Sequence, residues 1–244
     1  MRHLRIFFLL PLFYSNLFAQ DFVPHTLVRA TYNIKENNQL GTSFLIDYKS
    51  NQFLVTARHL FPNAVHKTKI SFKILKDTSW VTLNATVLIS DTPQIDIAIL
   101  QLDPSNYLPN PFSFDSPSDN VLGDGGYFLG FPFGLKNDDL GKVNYGFPFP
   151  LVKKVTFSGA IIKNGISILL LDGHNNPGFS GGPVVFMDRF STPKNKWFIA
   201  GVVSAYVNQN KQMITPLGVL NYDENSGIII AISSTHIISI INRK

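Results

Sequence analysis

The sequence predicts an all-β fold that closes on a short C-terminal helix. Two observations carry this. The chain is a series of short apolar runs in strand-like alternation, and Gly, Pro, Asn or Asp punctuates the gaps between them. A third is negative: no long segment of helical period occurs before the C-terminus. Strands are expected at 27–34, 41–47, 52–56, 69–75, 80–89 and 95–101, then at 126–130, 154–162, 166–171, 182–187, 197–205, 212–219 and 227–232. The stretch 102–125, rich in Pro, Ser, Asp and Asn, reads as a bridge between two halves, about 27–105 and about 120–240. The tail from Ser233 to Ile241 has capping residues followed by apolar positions, which suits a closing helix.

The N-terminus reads as a secretory signal peptide. Arg2 and Arg5 precede an apolar run from Ile6 to Phe18, and a small residue, Ala19, follows. The run is short for a membrane span of ~20 residues, so cleavage after Ala19 is expected to leave one domain over residues 20–244 with no stable membrane span. The chain has no cysteine, so an exported protein of this kind holds itself together by packing alone. The net charge of +5 is mild and its basic residues are scattered, which argues against a nucleic-acid partner. His25, His66 and His236 have no metal-ligand spacing, and no metal or cofactor is expected; His66 reads as an exposed loop residue. Asp91 and Asp172 read as turn or hydrogen-bonding residues, and Asn84-Ala85-Thr86 is a chance sequon unless the host glycosylates.

The chemistry concentrates in three segments. Gly178-Phe179-Ser180-Gly181-Gly182-Pro183 holds a serine in a glycine-rich turn ahead of Val184-Val185-Phe186. A serine hydroxyl attacks carbonyls poorly unless a base takes its proton, and the oxyanion that results needs N–H donors already in place. Glycines at 178 and 181 let the backbone turn sharply and aim the amides of Gly178 and Ser180 at one point. Phe53-Leu54-Val55-Thr56-Ala57-Arg58-His59 is an apolar strand running into a turn that ends in histidine, a candidate base. In Gln94-Ile95-Asp96-Ile97-Ala98-Ile99-Leu100 a lone aspartate stands in an apolar run, where a carboxylate needs a partner. His59 is the natural one: a carboxylate that accepts Nδ1–H fixes the tautomer and turns Nε2 toward the serine.

The order His59, Asp96, Ser180, with Gly41-Thr42-Ser43-Phe44, Thr56-Ala57-Arg58-His59, Asp96-Ile97-Ala98 and Asn176-Pro177-Gly178-Phe179-Ser180-Gly181-Gly182-Pro183, resembles the trypsin-like serine peptidases of chymotrypsin fold. The likeness is greatest to bacterial protease domains of the HtrA/Deg type, and extends to Gly130-Phe131-Pro132-Phe133-Gly134 and the strand Gly227–Ile232. The resemblance covers residues 27 to 240 and implies two six-stranded antiparallel β-barrels with the site in the cleft between them. No PDZ domain like those on HtrA proteins is expected, given where the chain ends.

The same resemblance implies an exported serine endopeptidase acting on protein or peptide substrates, periplasmic or secreted, with Ser180 as nucleophile, His59 as base and Asp96 orienting it. It places His174 at the base of the primary pocket and Val203, Ser204, Ala205 and Tyr206 on its wall, where the substrate backbone adds as a strand. His174 argues against cleavage after Lys or Arg and leaves open an acidic preference or a plain surface role; Tyr206 narrows the entrance. Two departures stand out. Phe179 precedes the serine where digestive members carry an aspartate, so a zymogen switch of that kind is not expected. The segment 135–153, with Tyr145, Phe147 and Phe149, is longer than in the HtrA-like pattern, and reads either as a loop packed on its own barrel or as a lid. Two other functions remain open on residues alone: a catalytically silent module that binds extended peptides, and an esterase using the same three residues. The oligomeric state is not readable.

Overall fold

The computed structural model describes residues 22–114, 120–137, 147–188, 196–216 and 218–243. The expected signal segment 1–19 and Tyr145 lie outside them. A five-residue helix, α1 (His25–Arg29), leads into β1 (Thr31–Glu36), β2 (Gln39–Tyr48), β3 (Asn51–Thr56), β4 (Lys69–Lys76), β5 (Ser79–Ile89), β6 (Ala98–Leu102) and the two-residue β7 (Phe112–Ser113). These pair in the order β1-β4-β5-β6-β3-β2, and β1 also pairs with β2, so six antiparallel strands run round in a ring. The short β7 adds to β2 in parallel.

The second half contains β8 (Gly125–Gly130), β9 (Leu151–Lys163), β10 (Ile166–Asp172), β11 (Pro183–Asp188), β12 (Lys196–Thr215) and β13 (Gly218–Ser233). They form a closed antiparallel barrel in the order β10-β13-β12-β11-β8-β9. The helix α2 (Thr235–Ile241) closes the chain where the tail pattern placed one.

Period-two alternation explains how the barrels are joined. Along β3, Leu54 points into a core shared with Leu45, Ala98 and Leu100 inside the first barrel. Its neighbours Phe53 and Val55 point the other way, into a cluster with Leu129, Val185, Val202 and Ile232 of the second barrel and Ile237 and Ile240 of α2. Both faces of β3 and β6 are therefore buried, which is why 53–55 and 97–100 read as unbroken apolar runs. A third cluster around Phe128, Phe179 and Phe186 fills the second barrel.

Two strand expectations needed revision. The segment 27–30 is the end of α1 and its C-cap, and β1 begins at Thr31. The runs 197–205 and 212–219 are not separate strands: β12 is continuous from Lys196 to Thr215, and the hairpin turn falls inside the second run. Asn, Gln and Lys at 208–212 break the apolar pattern, yet the backbone remains paired with β13 because polar side chains on an exposed ribbon cost nothing to solvate.

Candidate active site

His59 sits on a 3-10 turn, Arg58–Leu60, that caps the end of β3. Asp96 lies in the loop just before β6, two residues ahead of the strand itself, with Ile95 and Ile97 buried on either side. The two loops are tied together twice. Arg58 Nη1 donates to the Ser90 carbonyl at 2.8 Å and to that of Thr92 at 3.4 Å. The His59 backbone N–H donates to Asp96 Oδ1, and His59 Nδ1 lies against Asp96 Oδ2, both at 2.8 Å. A carboxylate can only accept, so the proton on this bond belongs to Nδ1, and in the neutral ring Nε2 then carries the lone pair. The imidazole is 46% exposed and the carboxylate 18%, so the pair opens to solvent on the histidine side.

A third donor reaches the same carboxylate from the other barrel. Ser204 Oγ donates to Asp96 Oδ2 at 2.6 Å. The spacing of 108 residues gave no warning of this contact. Ser204 can reach across because β12 carries a bulge between Val203 and Ala205.

The serine turn is built almost entirely from backbone bonds. Gly178 and Gly181 have φ of +104° and +85°, the left-handed side of the map that only glycine enters freely. A Cβ on Gly181 would lie 2.1 Å from the Thr42 carbonyl oxygen, 2.4 Å from Thr56 Oγ1 and 2.7 Å from the Ala57 amide. The turn is thus pressed into the first barrel two residues ahead of His59. The Thr42 N–H donates to the Ser180 carbonyl at 2.8 Å, and Thr42 Oγ1 donates to the Gly178 carbonyl at 2.7 Å while accepting from the Phe131 N–H at 3.0 Å. On the other side, the Gly181 N–H donates to the Val203 carbonyl at 2.8 Å. The amides of Phe179, Gly181 and Gly182 are all committed, whereas those of Gly178 and Ser180 donate to no acceptor among the described residues.

Phe179 is fully buried and stacks edge-on against Phe128 at 4.6 Å. The Lys153 ammonium stands 5.8 Å from the centroids of both rings and donates to the His174 carbonyl, and its burial lowers its pKa. Lys153 therefore braces the segment leading to the serine from inside β9, a role sequence reasoning missed because the adjacent pair Lys153-Lys154 reads as solvated surface. His174 itself is exposed, Ala205 is exposed, and Tyr206 is partly buried. Between His174 and the turn, Asn175 is 3% exposed: its Nδ2 reaches the Ala205 carbonyl at 3.4 Å, its carbonyl accepts from Asn225 Nδ2 at 2.7 Å, and its Oδ1 has no partner among the described residues. This knits the 173–177 segment to β12 and β13.

The remaining histidines are occupied elsewhere. His66 is partly buried, not exposed as its loop position implied: its Nδ1 accepts the Ile89 N–H at 3.2 Å. His236 Nε2 accepts the Ser167 N–H at 3.0 Å. Asp91 pairs with Arg243. The described ends of the 135–153 segment pack on the first barrel, with Phe147 edge-on to Tyr32 at 5.6 Å and Phe149 to His25 at 5.2 Å; residues 138–146 lie outside the described set.

Comparison with known proteins fits this arrangement. No curated protein matches the sequence. Among solved structures, an inactive serine-to-alanine mutant of Rv3671c from M. tuberculosis H37Rv superposes with a TM-score of 0.57 at 16% identity, covering 88% of this chain and 86% of that one. The serine endoprotease from Yersinia pestis gives 0.57 at 19% identity over 91% of this chain and 67% of its own. Deg5 gives 0.54 at 17% identity over 87% of each. At these identities the likeness is one of fold. The family profile of the trypsin-like peptidase domain matches residues 41–189, which include the turns of His59, Asp96 and Ser180. The chain belongs to the trypsin-like peptidase domain family, and is a serine protease by class.

Proposed function

We propose that this protein is an exported serine endopeptidase in which Ser180, His59 and Asp96 act together. What carries the reading is that two halves are each incomplete alone. One half is a histidine held through Nδ1 with Nε2 left over; the other is a serine turn with the amides of Gly178 and Ser180 uncommitted.

Peptide hydrolysis then runs in balanced steps. Ser180 Oγ attacks the scissile carbonyl as its proton passes to His59 Nε2, and the new imidazolium is stabilised by the Asp96 carboxylate. The carbonyl oxygen becomes an oxyanion that the Gly178 and Ser180 N–H groups receive; removing one such donor elsewhere costs about 10²–10³ in rate. Collapse breaks the C–N bond, the proton on Nε2 goes to the departing amine, and the acyl group stays as an ester on Ser180. Water repeats the sequence, giving its proton to His59 and releasing the acid. Ser204 holds the Asp96 oxygen that faces Nδ1, so the carboxylate stays aimed while charge builds on the ring.

Support for export is the charged and apolar N-terminal segment ending at Ala19; among the described residues no helix is long and apolar enough to cross a membrane. The test is digestion of denatured casein by the purified protein beside Ser180→Ala. Peptide release that falls on the order of 10⁶-fold in the variant supports the reading, and equal release by both would end it.

A further inference from the structure

The two uncommitted amides of the serine turn belong to the peptide planes 177–178 and 179–180. In a planar trans peptide the N–H points opposite to the C=O, so each amide is aimed by whatever holds the carbonyl of its own plane. The Phe133 N–H holds the Pro177 carbonyl at 2.8 Å, and the Gly182 N–H holds that of Phe179 at 2.8 Å. Between them lies the plane 178–179. Its N–H, on Phe179, donates to the Asn176 carbonyl at 3.2 Å, and its carbonyl, on Gly178, accepts from Thr42 Oγ1 at 2.7 Å. Among the described residues, Thr42 is the one side chain bonded to the main chain of residues 176–182.

The middle plane is the one that needs a side chain. Gly178 has a φ of +104°, and a residue without Cβ permits this turn without specifying it, because it enters many other conformations as readily. Turning the plane 178–179 would swing both neighbouring planes with it. Thr42 is placed to prevent that. It is fully buried, and its hydroxyl accepts the Phe131 N–H at 3.0 Å, which commits its proton to Gly178. Its own main chain is fixed at both ends: the N–H donates to the Ser180 carbonyl at 2.8 Å, and the carbonyl accepts from Thr56 Oγ1 at 2.7 Å. Thr56 ends the strand that leads to His59. One residue of the first barrel thus holds the carbonyls on both sides of Phe179.

We propose that Thr42 is a positioning residue for the oxyanion: its hydroxyl locks the Gly178–Phe179 peptide plane, and so keeps the Gly178 and Ser180 amides converged on one point. This rests on the peptidase reading above and adds to it a residue that touches neither the substrate nor the reacting atoms. Without the hydroxyl, the Gly178 carbonyl and the buried Phe131 N–H lose their partner, and rotation of the plane becomes the way to satisfy the carbonyl again. Full negative charge forms on the substrate oxygen only as Ser180 attacks. A misaimed pair of amides therefore lowers kcat and leaves KM nearly alone.

The experiment compares the unchanged protein with Thr42→Val, which removes the hydroxyl, and Thr42→Ser, which keeps it. The substrate is a synthetic peptide spanning a cleavage site mapped by mass spectrometry in casein digests. In Thr42→Val a fall in kcat of about 10- to 100-fold is expected, short of the ~10²–10³ for removing a donor outright, with KM within about twofold. Thr42→Ser should restore kcat to within about threefold, since it returns the same hydrogen bond. Hydrogen exchange followed by NMR reads the plane without catalysis: the Phe179 amide should exchange at least about tenfold faster in Thr42→Val, beyond any change in the amides of the barrel strands, and not in Thr42→Ser. Because this readout needs no turnover, it judges Thr42 separately, whereas a folded, unchanged protein that cleaves nothing counts against the peptidase reading alone. If Thr42→Val gives no cooperative melt, Thr42→Ala carries the same expectations. A kcat within about twofold of the unchanged protein once the hydroxyl is gone, or a Phe179 amide that exchanges no faster, overturns the proposal.

Discussion

The two barrels furnish the proposed site in different ways. The first supplies a side-chain device: His59 and Asp96 are fixed by three donors on one carboxylate and by Arg58 joining their loops. The second supplies a backbone device: the Ser180 turn owes its shape to positive-φ glycines and amide–carbonyl bonds to Thr42 and Val203. Side-chain devices fail gradually, one hydrogen bond at a time, whereas a backbone device has no slack, because any added atom meets main chain within van der Waals distance. The contrast predicts which substitutions impair chemistry alone and which impair the fold with it.

A large and purely chemical effect falls on the first barrel. Asp96→Asn keeps the size of the side chain but turns a pure acceptor into a group that can donate, so the imidazole loses the tautomer that leaves Nε2 free. A loss of roughly 10⁴ in kcat is expected, with the melting temperature little changed. Gly181→Ala should act oppositely. Its methyl group would sit 2.1 Å from the Thr42 oxygen at a φ of +85°, so stability should fall by at least about 1–3 kcal/mol together with activity. Circular-dichroism melts beside active-site titration separate the two cases, and a normal melt for Gly181→Ala would contradict the backbone account.

Ser204→Ala sits between them, since it removes one of three donors to Asp96. A loss of about tenfold in kcat/KM is expected, the worth of a hydrogen bond to a charged group, with KM for a two-residue substrate nearly unchanged. The smallest effect lies outside the site. Burial, reinforced by Arg243 and Lys67, lowers the His66 pKa, and burial lowers that of His236. A base whose folded pKa is depressed binds its proton more readily when unfolded, so stability is full above the ordinary histidine value near 6.5 and declines as pH falls below it. Melts between pH 8 and pH 5.5 should show this decline, and it should be shallower in His66→Gln/His236→Gln; equal slopes would assign the decline to other groups.

Much of this was legible from sequence because the relevant signals are local. A serine between glycines, a histidine at the end of an apolar strand and an aspartate inside an apolar run each declare themselves within a few residues. The closing helix was legible for the same reason. Contacts that join distant segments were not. Ser204 was read as a pocket wall, and its hydroxyl on Asp96 depends on a bulge that sequence does not mark. Lys153 looked like one of two surface lysines, since nothing nearby in the chain reveals Phe128, Phe179 and the His174 carbonyl around its ammonium. The long ribbon was split into two strands because its polar middle erased the alternation, although the backbone pairing runs through it. His66 was assigned to the surface from its loop setting, whereas its acceptor role toward Ile89 is set by a strand 23 residues away.

The central claim is that the serine of the second barrel is activated by the histidine of the first. Labelling of the purified protein with a fluorophosphonate probe, with the adduct located by peptide mass, tests it most directly. The account predicts one adduct, on Ser180, absent from Ser180→Ala and reduced to background in His59→Ala. A folded protein that does not label, or one that labels equally well without His59, would contradict it.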